Sequence, residues 1–411
     1  MTDSHREISF SDLCHAQLTL QGHEQATSIQ SRAFANDGDK VFLLAPTGEG
    51  KTLAAVIRYF HQLEAGRAFQ CLVLLPTREL AQQWFDVIQT VIGDSPLSAY
   101  ALIGGEDYKA QAIALERGAD ILVATVGRLE THLESQPRLL DQVDFLIIDE
   151  ADQQLGPDKI QEMVGLYQKL PAIPKHVSLL SATMHRNTLK LCEQHLGFRP
   201  TVIKSDHVDR AALQLLITPA DDRAHKLRLL VAWLQRNQDG KQVVFCSRQE
   251  QAQTLEGKLK YHGINAAALH GALTPKGRRV VIENFRNSES AVLVTTDLSA
   301  RGLDIEKVNA VVNVDSPKQF DNFCHRIGRG GRDGGANTVV NFVIAAEWNR
   351  VVGFARRLEL PIQSWLPQEL AGLYRGPKKL KASGKAAGSK KKKSSAKASG
   401  KKSKKLKSKR K

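Results

Sequence analysis

Cysteine is scarce in this chain. Cys14, Cys71, Cys192, Cys246 and Cys324 are scattered, odd in number and form no close pair. Such spacing argues against a disulfide framework or a zinc site and for a reducing compartment. Long apolar runs are missing as well: none approaches the ~18 residues needed to span a bilayer. The opening Met1-Thr2-Asp3-Ser4-His5-Arg6-Glu7 has no basic-then-apolar leader pattern. The expectation is a soluble cytoplasmic protein, or a nuclear or nucleolar one if its cell is nucleated. Acidic residues are absent from Gly376 to Lys411, a segment holding 17 of the 58 Lys and Arg residues. The other 41 basic residues face 43 acidic ones, so the formal charge of +15 belongs to the tail and the body is nearly neutral. Lys, Ser, Gly and Ala dominate residues 376–411, which cannot bury enough apolar surface to fold. A disordered tail is expected, either a solubilising extension or a non-specific tether for polyanions. Dense like charge gains most beside a phosphate backbone, which favours the tether.

What the chain does have is two runs that complete each other. The apolar stretch Val41-Phe42-Leu43-Leu44 opens into Ala45-Pro46-Thr47-Gly48-Glu49-Gly50-Lys51-Thr52, with the helix-forming Leu53-Ala54-Ala55-Val56-Ile57 behind it. Strand, glycine-rich turn and helix make a phosphate-binding loop: backbone N–H groups approach the phosphates, Lys51 supplies a point charge, and Thr52 a hydroxyl for Mg²⁺. About a hundred residues later Phe145-Leu146-Ile147-Ile148 ends in Asp149-Glu150-Ala151-Asp152. It brings a carboxylate for the metal and a second one to handle water. Either run alone has a bland explanation, a surface turn or an acidic helix cap. Together they indicate binding and hydrolysis of a nucleoside triphosphate.

Short β-rich runs alternate with helical stretches twice over, at 41–44, 71–75, 121–125, 145–148 and 177–181, then at 243–246, 266–269, 291–295, 310–314 and 339–343. Continuous apolar strands between helices imply parallel sheets covered on both faces. The expected fold is α/β, with domain one at residues 1–204, a linker at 205–212, domain two at 213–375 and the tail at 376–411. Only the first domain has a phosphate loop, so the second is expected to complete that site. Residues 347–366, with Trp348, Val351, Val352, Phe354, Leu358 and Leu360, read as one helix packed on the second domain.

Further motifs follow in order: Pro76-Thr77-Arg78-Glu79-Leu80, Gly104-Gly105, Thr125-Val126-Gly127-Arg128, Ser181-Ala182-Thr183, Leu269-His270-Gly271, Thr296-Asp297, Arg301-Gly302-Leu303-Asp304 and His325-Arg326-Ile327-Gly328-Arg329-Gly330-Gly331-Arg332. From about residue 10 to 365 the chain resembles the DEAD-box RNA helicases. The resemblance implies two tandem RecA-like domains, ATP and Mg²⁺ as ligands, and RNA-stimulated ATP hydrolysis coupled to opening of short duplexes or remodelling of RNA–protein assemblies. It implies that Asp149 holds Mg²⁺ through water, that Glu150 orients and deprotonates the attacking water, and that Arg329 and Arg332 are arginine fingers. Three residues apart, the fingers point to one side if their segment is a helical turn.

The resemblance further implies that Gln30 reads adenine, an amide being both donor and acceptor, with His23 stacked on the base. Thr47, Gly48, Gly50, Lys51 and Thr52 hold the phosphates and Asp304 the ribose. Ser181 and Thr183, with Asp152, couple the acidic loop to closure. Arg78, Gly105, Thr125 and Arg128 in the first domain, and Gly271, Arg278 and Thr296 in the second, match backbone-binding positions for RNA. Contacts to phosphate and 2′-OH carry little sequence preference.

The chain departs from the family pattern at several places: Glu49 replaces a small hydroxyl residue, Ala26 and Val126 replace prolines, Pro275 replaces a glutamine, and Gly330 a threonine. The segment from Phe10 to Gly22 is short. None of these removes a catalytic charge. Two other readings compete with the helicase: a DNA translocase, disfavoured by the Gln30 segment and by Asp152 ending the acidic run, and an ATP-gated RNA clamp.

Overall fold

The computed structural model describes residues 26–46, 48–156, 159–184, 187–205, 213–300, 308–329 and 337–377. The chain forms two parallel sheets of seven strands each. In the first domain the elements run α1 (Ser28–Phe34), β1 (Lys40–Leu44), α2 (Lys51–Phe60), β2 (Cys71–Leu75), α3 (Arg78–Ile92), β3 (Ala99–Leu102), α4 (Tyr108–Arg117), β4 (Ile121–Thr125), α5 (Val126–Leu133), β5 (Phe145–Ile148), α6 (Ala151–Gln154), α7 (Ile160–Tyr167), β6 (His176–Ser181), α8 (Thr188–Leu191) and β7 (Thr201–Lys204). Strands lie in the order β3-β4-β2-β5-β6-β1-β7. Every residue of β2 and β5 is buried, as continuous apolar strands under two helical layers must be. One core lies on each face of the sheet. On one of them α3 presents Ala81, Trp84, Ile88 and Val91, a stripe at helical spacing, and the hydroxyl of Thr77 caps its start by accepting from the Leu80 N–H at 3.3 Å.

The second domain runs β8 (Leu213–Pro219), α9 (Arg223–Arg236), β9 (Lys241–Phe245), α10 (Gln249–Tyr261), β10 (Ala266–Leu269), α11 (Pro275–Asn287), β11 (Ala291–Thr295), α12 (Asp297–Ala300), β12 (Val308–Asn313), α13 (Phe320–Ile327), β13 (Asn337–Val343), α14 (Trp348–Arg357) and β14 (Ile362–Gln363). Its strand order is β10-β11-β9-β12-β13-β8-β14, the first sheet's winding repeated. All ten expected strands are present within a few residues of their expected limits, and β3, β7, β8 and β14 are additional. The expected helix over 347–366 is corrected: α14 stops at Arg357, Glu359 takes φ +56° and β14 follows. Pro361 forces this, because the residue before a proline is driven out of helical conformation. Trp348 and Phe354 pack into the core as expected, Phe354 against Phe323 at 5.5 Å between ring centroids. Most of the expected linker lies outside the described residues; Ser205, which opens it, donates its N–H to the Leu44 carbonyl at 3.1 Å and so continues the first sheet.

Candidate active site and nucleic-acid face

β1 lies between β6 and β7, with Leu44 opposite Ser181, so the phosphate loop emerges beside the Ser181–Thr183 segment. Ala45 N–H donates to the Ser181 carbonyl at 3.2 Å. Gly48 and Gly50 turn the loop at φ +91° and +77°, and Gly50 caps α2. Gly50 has no room for a side chain, since a Cβ would come within 2.1 Å of Gln30 Nε2. Lys51 Nζ donates to the carbonyls of Ala45 and Pro46 at 2.7 and 2.9 Å. Burial lowers the Lys51 pKa, with Asp149 and Glu150 opposing it. Thr52 is half-buried in the first turn of α2.

Asp149 closes β5 and is buried. Its carboxylate accepts from the Trp84 indole N–H at 2.8 Å and from the Glu150 N–H at 2.7 Å. Burial, then the Glu150 charge, push its pKa up to about 6 against the pull of Lys51 and these two hydrogen bonds. Its charged form is disfavoured chiefly by desolvation. Glu150 adopts the left-handed φ of +50°, a conformation that costs energy for a side-chain-bearing residue and clusters at functional sites. Its Oε2 is buried without a hydrogen-bond partner. Behind it Gln154 donates to the carbonyls of Asp149 (2.7 Å) and Leu74 (3.0 Å).

The second domain closes on this loop. His325, buried on α13, places Nε2 3.0 Å from Asp152 Oδ2 and 3.6 Å from Glu150 Oε2. Thr183 donates its hydroxyl to the same Asp152 oxygen, and its N–H to Ser181 Oγ at 3.1 Å. Burial would raise the Asp152 pKa, but the hydrogen bond and charge of His325, with the Thr183 and Ser181 hydroxyls, hold it down at about 2. The three proposed coupling residues therefore form one cluster, joined by a histidine for which the sequence suggests no role. Next to it Arg326 forms a fork with Asp297 at 2.5 and 2.9 Å and reaches Asn313 Oδ1 and the Asp315 carbonyl, both at 2.7 Å. Arg329 is buried just past the end of α13, its N–H on the Arg326 carbonyl at 3.1 Å. The helix stops at Ile327, so the finger segment does not continue as a helical turn through Arg329. His23, Thr47, Asp304, Arg332, Phe10 and Gly330 lie outside the described residues.

Gln30 belongs to a capping box on α1: its Oε1 accepts from the Thr27 N–H at 2.8 Å, and its Nε2 is 3.4 Å from the Gly50 carbonyl. The amide thus abuts the phosphate loop. Of the departures, Glu49 is half-buried with its carbonyl taking the Thr27 hydroxyl at 2.8 Å, and its charge supports that of Lys51. Ala26 is exposed and Val126 buried. Pro275 sits in the first turn of α11, where a missing N–H costs nothing.

Along the carboxyl edges of the strands, Arg78 stacks on the Gly104-Gly105 turn, where a Cβ on Gly105 would meet Nη1 at 2.5 Å. Thr125 and Gly127 line a pocket of about 60 Å³ with Pro76, Gln154 and Lys159. Arg128 is held by Gln111 Oε1 at 2.6 Å and the Glu106 carbonyl at 2.9 Å. In the second domain Gly271 is exposed after β10 and Thr296 half-buried after β11. Arg278 makes a 2.7 Å ion pair with Glu79 of the first domain. Its guanidinium spans the cleft between domains, a partner that residue spacing does not reveal.

The sequence matches the DEAD/DEAH box helicase family over residues 27–191 and the helicase conserved C-terminal domain over residues 225–334. It is 31% identical over 349 residues to the ATP-dependent RNA helicase eIF4A of Aspergillus clavatus, covering 84% of this chain and 87% of that protein. The chain belongs to the DEAD-box family of ATP-dependent RNA helicases. The eIF4A of Mycosarcoma maydis is 32% identical over 326 residues, 78% of this chain and 79% of its own. Among solved structures, S. cerevisiae Dbp5 bound to RNA and ADP BeF3 has the same fold, with a TM-score of 0.76 at 24% identity over 86% of this chain and 93% of Dbp5. The tandem RecA-like architecture is thereby established for this DEAD-box protein. His325 and Trp84 escape a reading of the sequence because their partners lie far away in the chain, and Gln154 because its bonds are to backbone carbonyls. Trp84 alone carries a signal, an indole on the buried stripe of α3 that needs an acceptor for its N–H.

Proposed function

We propose that this DEAD-box protein hydrolyses ATP at the cleft between its domains and uses closure of that cleft to open short RNA duplexes or remodel RNA–protein assemblies. The observation that carries this reading is the meeting of His325 with Asp152 and Glu150 directly beyond the phosphate loop. Hydrolysis-competent geometry is thereby tied to the arrival of the second domain. Thr52 and Asp149 are the residues to hold Mg²⁺, largely through water. Asp149 fits that role as a buried carboxylate just past β5, within electrostatic reach of Lys51 of the phosphate loop. When bound, the ion would neutralise charge developing on the phosphates. Glu150, whose buried Oε2 accepts no hydrogen bond, orients the attacking water and takes its proton. Lys51 and the loop N–H groups hold the phosphates, and Arg329 and Arg332 stabilise charge on the transferred group. Gln30 and His23 take the base, Asp304 the ribose.

RNA lies across Arg78, Gly105, Thr125, Arg128, Gly271 and Thr296, recognised through its backbone. Arg278 joins that face by bridging to Glu79. The tail at 376–411 tethers RNA without sequence preference. Scarce, scattered cysteines favour the cytoplasm for this enzyme, or the nucleus or nucleolus of a nucleated cell.

Two measurements test this. Glu150→Gln should bind ATP normally and lose ~10²–10⁴ of RNA-stimulated hydrolysis, the usual worth of a general base, whereas Lys51→Ala should weaken nucleotide binding itself. Substantial turnover by purified Glu150→Gln removes the base assignment. Truncation at Arg375 should flatten the salt dependence of RNA binding, which for single strands changes by about 0.7 in log–log slope per lost phosphate contact. An unchanged slope reassigns the tail.

A further inference from the structure

Arg58 is a buried cation outside the reaction centre. It sits on α2, 7% exposed, within a helix whose other residues from Leu53 to Phe60 are buried and, apart from the Tyr59 hydroxyl, apolar. Packing alone would be served there by another apolar side chain. Its guanidinium donates instead to the carbonyls of Ala33, Asn36 and Gly38, and its Nε reaches the Tyr59 hydroxyl at 3.2 Å. No carboxylate among the described residues forms a salt bridge with it. A buried guanidinium is tolerated only when its donors are satisfied, and here backbone carbonyls at and beyond the C-terminal end of α1 satisfy them. The Ala33 carbonyl, in the last turn of α1, has no partner within the helix, and those of Asn36 and Gly38 belong to the turn that follows it.

The other end of α1 is attached to the same neighbour. Thr27 donates its hydroxyl to the Glu49 carbonyl at 2.8 Å, and Gln30 Nε2 lies 3.4 Å from the Gly50 carbonyl. The short α1 is therefore fastened at its start to the phosphate loop and at its end to the helix that the loop caps. Rotation or sliding of α1 would have to break the first attachment or leave the Arg58 charge buried and unsatisfied. The Gln30 amide has its place set between these two points, so close on Gly50 that a Cβ there would stand 2.1 Å from Nε2.

We infer that Arg58 is a positioning residue for nucleotide-base selectivity: it holds α1 so that Gln30 faces the base at a fixed distance from the phosphate loop. This rests on Gln30 as the adenine reader. The test uses the full chain and compares RNA-stimulated hydrolysis of ATP and GTP by Arg58→Met, Arg58→Lys and Gln30→Ala. Arg58→Met should raise KM for ATP about tenfold, as for loss of one charged hydrogen bond, with kcat within about twofold. The ATP-over-GTP ratio of kcat/KM should fall by a similar factor, and Arg58→Lys should recover part of it. A natively folded Arg58→Met with an unchanged ratio overturns the inference. Should Arg58→Met fail to fold, Arg58→Lys decides, because its ammonium cannot reproduce the planar fork; unaltered KM and ratio there overturn it. Gln30→Ala separates the two ideas. Selectivity lost with Gln30→Ala but kept with Arg58→Met removes the role of Arg58 alone, whereas selectivity kept with Gln30→Ala removes the adenine reading beneath it.

Discussion

After β1 the chain turns through Gly48 and Gly50 and enters α2 at Lys51 with no side chain capping the helix start. After β8, which holds the same place in the second sheet, it turns through Ala220, Asp221 and Asp222, with no glycine. Asp222 caps α9, accepting from the His225 N–H at 2.8 Å. Asp221 accepts the N–H groups of Leu373 and Tyr374 at 2.9 and 2.6 Å. The helix end that could face an anion in one domain is thus filled in the other by the protein's own carboxylates and C-terminal segment. A second contrast repeats the first. β5 leads to Asp149, a buried carboxylate facing the charge of Lys51, while β12 leads to Asp315, which accepts the Ser247 N–H at 2.8 Å and so links two loops of its own domain. One winding of the chain serves a ligand site in the first domain and internal adhesion in the second. What remains for the second domain is to supply groups across the cleft, and His325, Arg329 and Arg278 occupy that border.

The largest effect should come from removing that contribution. The segment 1–205 contains both cores of its sheet, so it should fold alone and bind ATP, yet its hydrolysis should fall by the ~10³–10⁵ typical of an absent arginine finger. Arg332→Ala in the full chain should approach the same loss with nucleotide affinity less affected. Phosphate release at saturating ATP and RNA measures both. Equal turnover by 1–205 and the full chain would make the division of labour between the sheets an error.

Much of this contrast was legible in the sequence, and what was hidden has physical causes. β2, β4 and β5 bury both faces and read as unbroken apolar runs. β3 and β7 are edge strands with half-exposed residues, β14 is an edge of two residues, and β8 mixes Gln214, Thr218 and Pro219 into its run, so none stood out. The phosphate loop and the acidic run declare themselves because their chemistry is local. Trp84 with Asp149, Arg58 with Ala33 and His325 with Asp152 are pairs made only by folding, and residue spacing holds no record of them.

A smaller effect, and a sharper test of closure, comes from pH. Burial would lower the His325 pKa and Arg329 acts in the same sense, but Glu150 and Asp152 outweigh them and hold it above the ordinary imidazole range in the closed arrangement. A raised histidine pKa contributes to closure in full below the ordinary value, and that contribution is lost as pH rises through the raised one. Asp152, held near 2, stays ionised across this range. With saturating Mg²⁺, AMP-PNP and RNA, the closed population read by fluorescence transfer between the domains should fall as pH climbs above the ordinary histidine value of about 6.5. Because the histidine binds its proton more tightly in the closed form than in the open one, deprotonation favours the open form. His325→Gln should flatten the profile; a slope that survives this substitution assigns the titration elsewhere.

The smallest effect is expected where the second domain has filled its own loop. Residues 362–376 form a strap over that edge. β14 pairs with β8, Trp365 meets Trp233 edge-on at 4.9 Å, Thr218 donates to the Trp365 carbonyl, and His225 Nε2 lies 2.7 Å from the Leu370 carbonyl. At the end of this strap Gly372 approaches so closely that a Cβ would stand 2.4 Å from Asp221 Oδ2 and 2.5 Å from His225 Cε1. Gly372→Ala should therefore lift the strap, and Asp221→Ala should remove its two backbone anchors. Either change should speed proteolysis after residue 365 and lower the unfolding midpoint modestly, because the sheet beneath keeps its own cores. ATP hydrolysis at saturating RNA should stay within about twofold, since the strap covers the strand edge opposite β10 and β11, far from Gly271, Thr296 and the cleft. A large fall in hydrolysis with the fold intact would mean that the filled loop still communicates with the working one, and that the two sheets divide their labour less completely than their loops suggest.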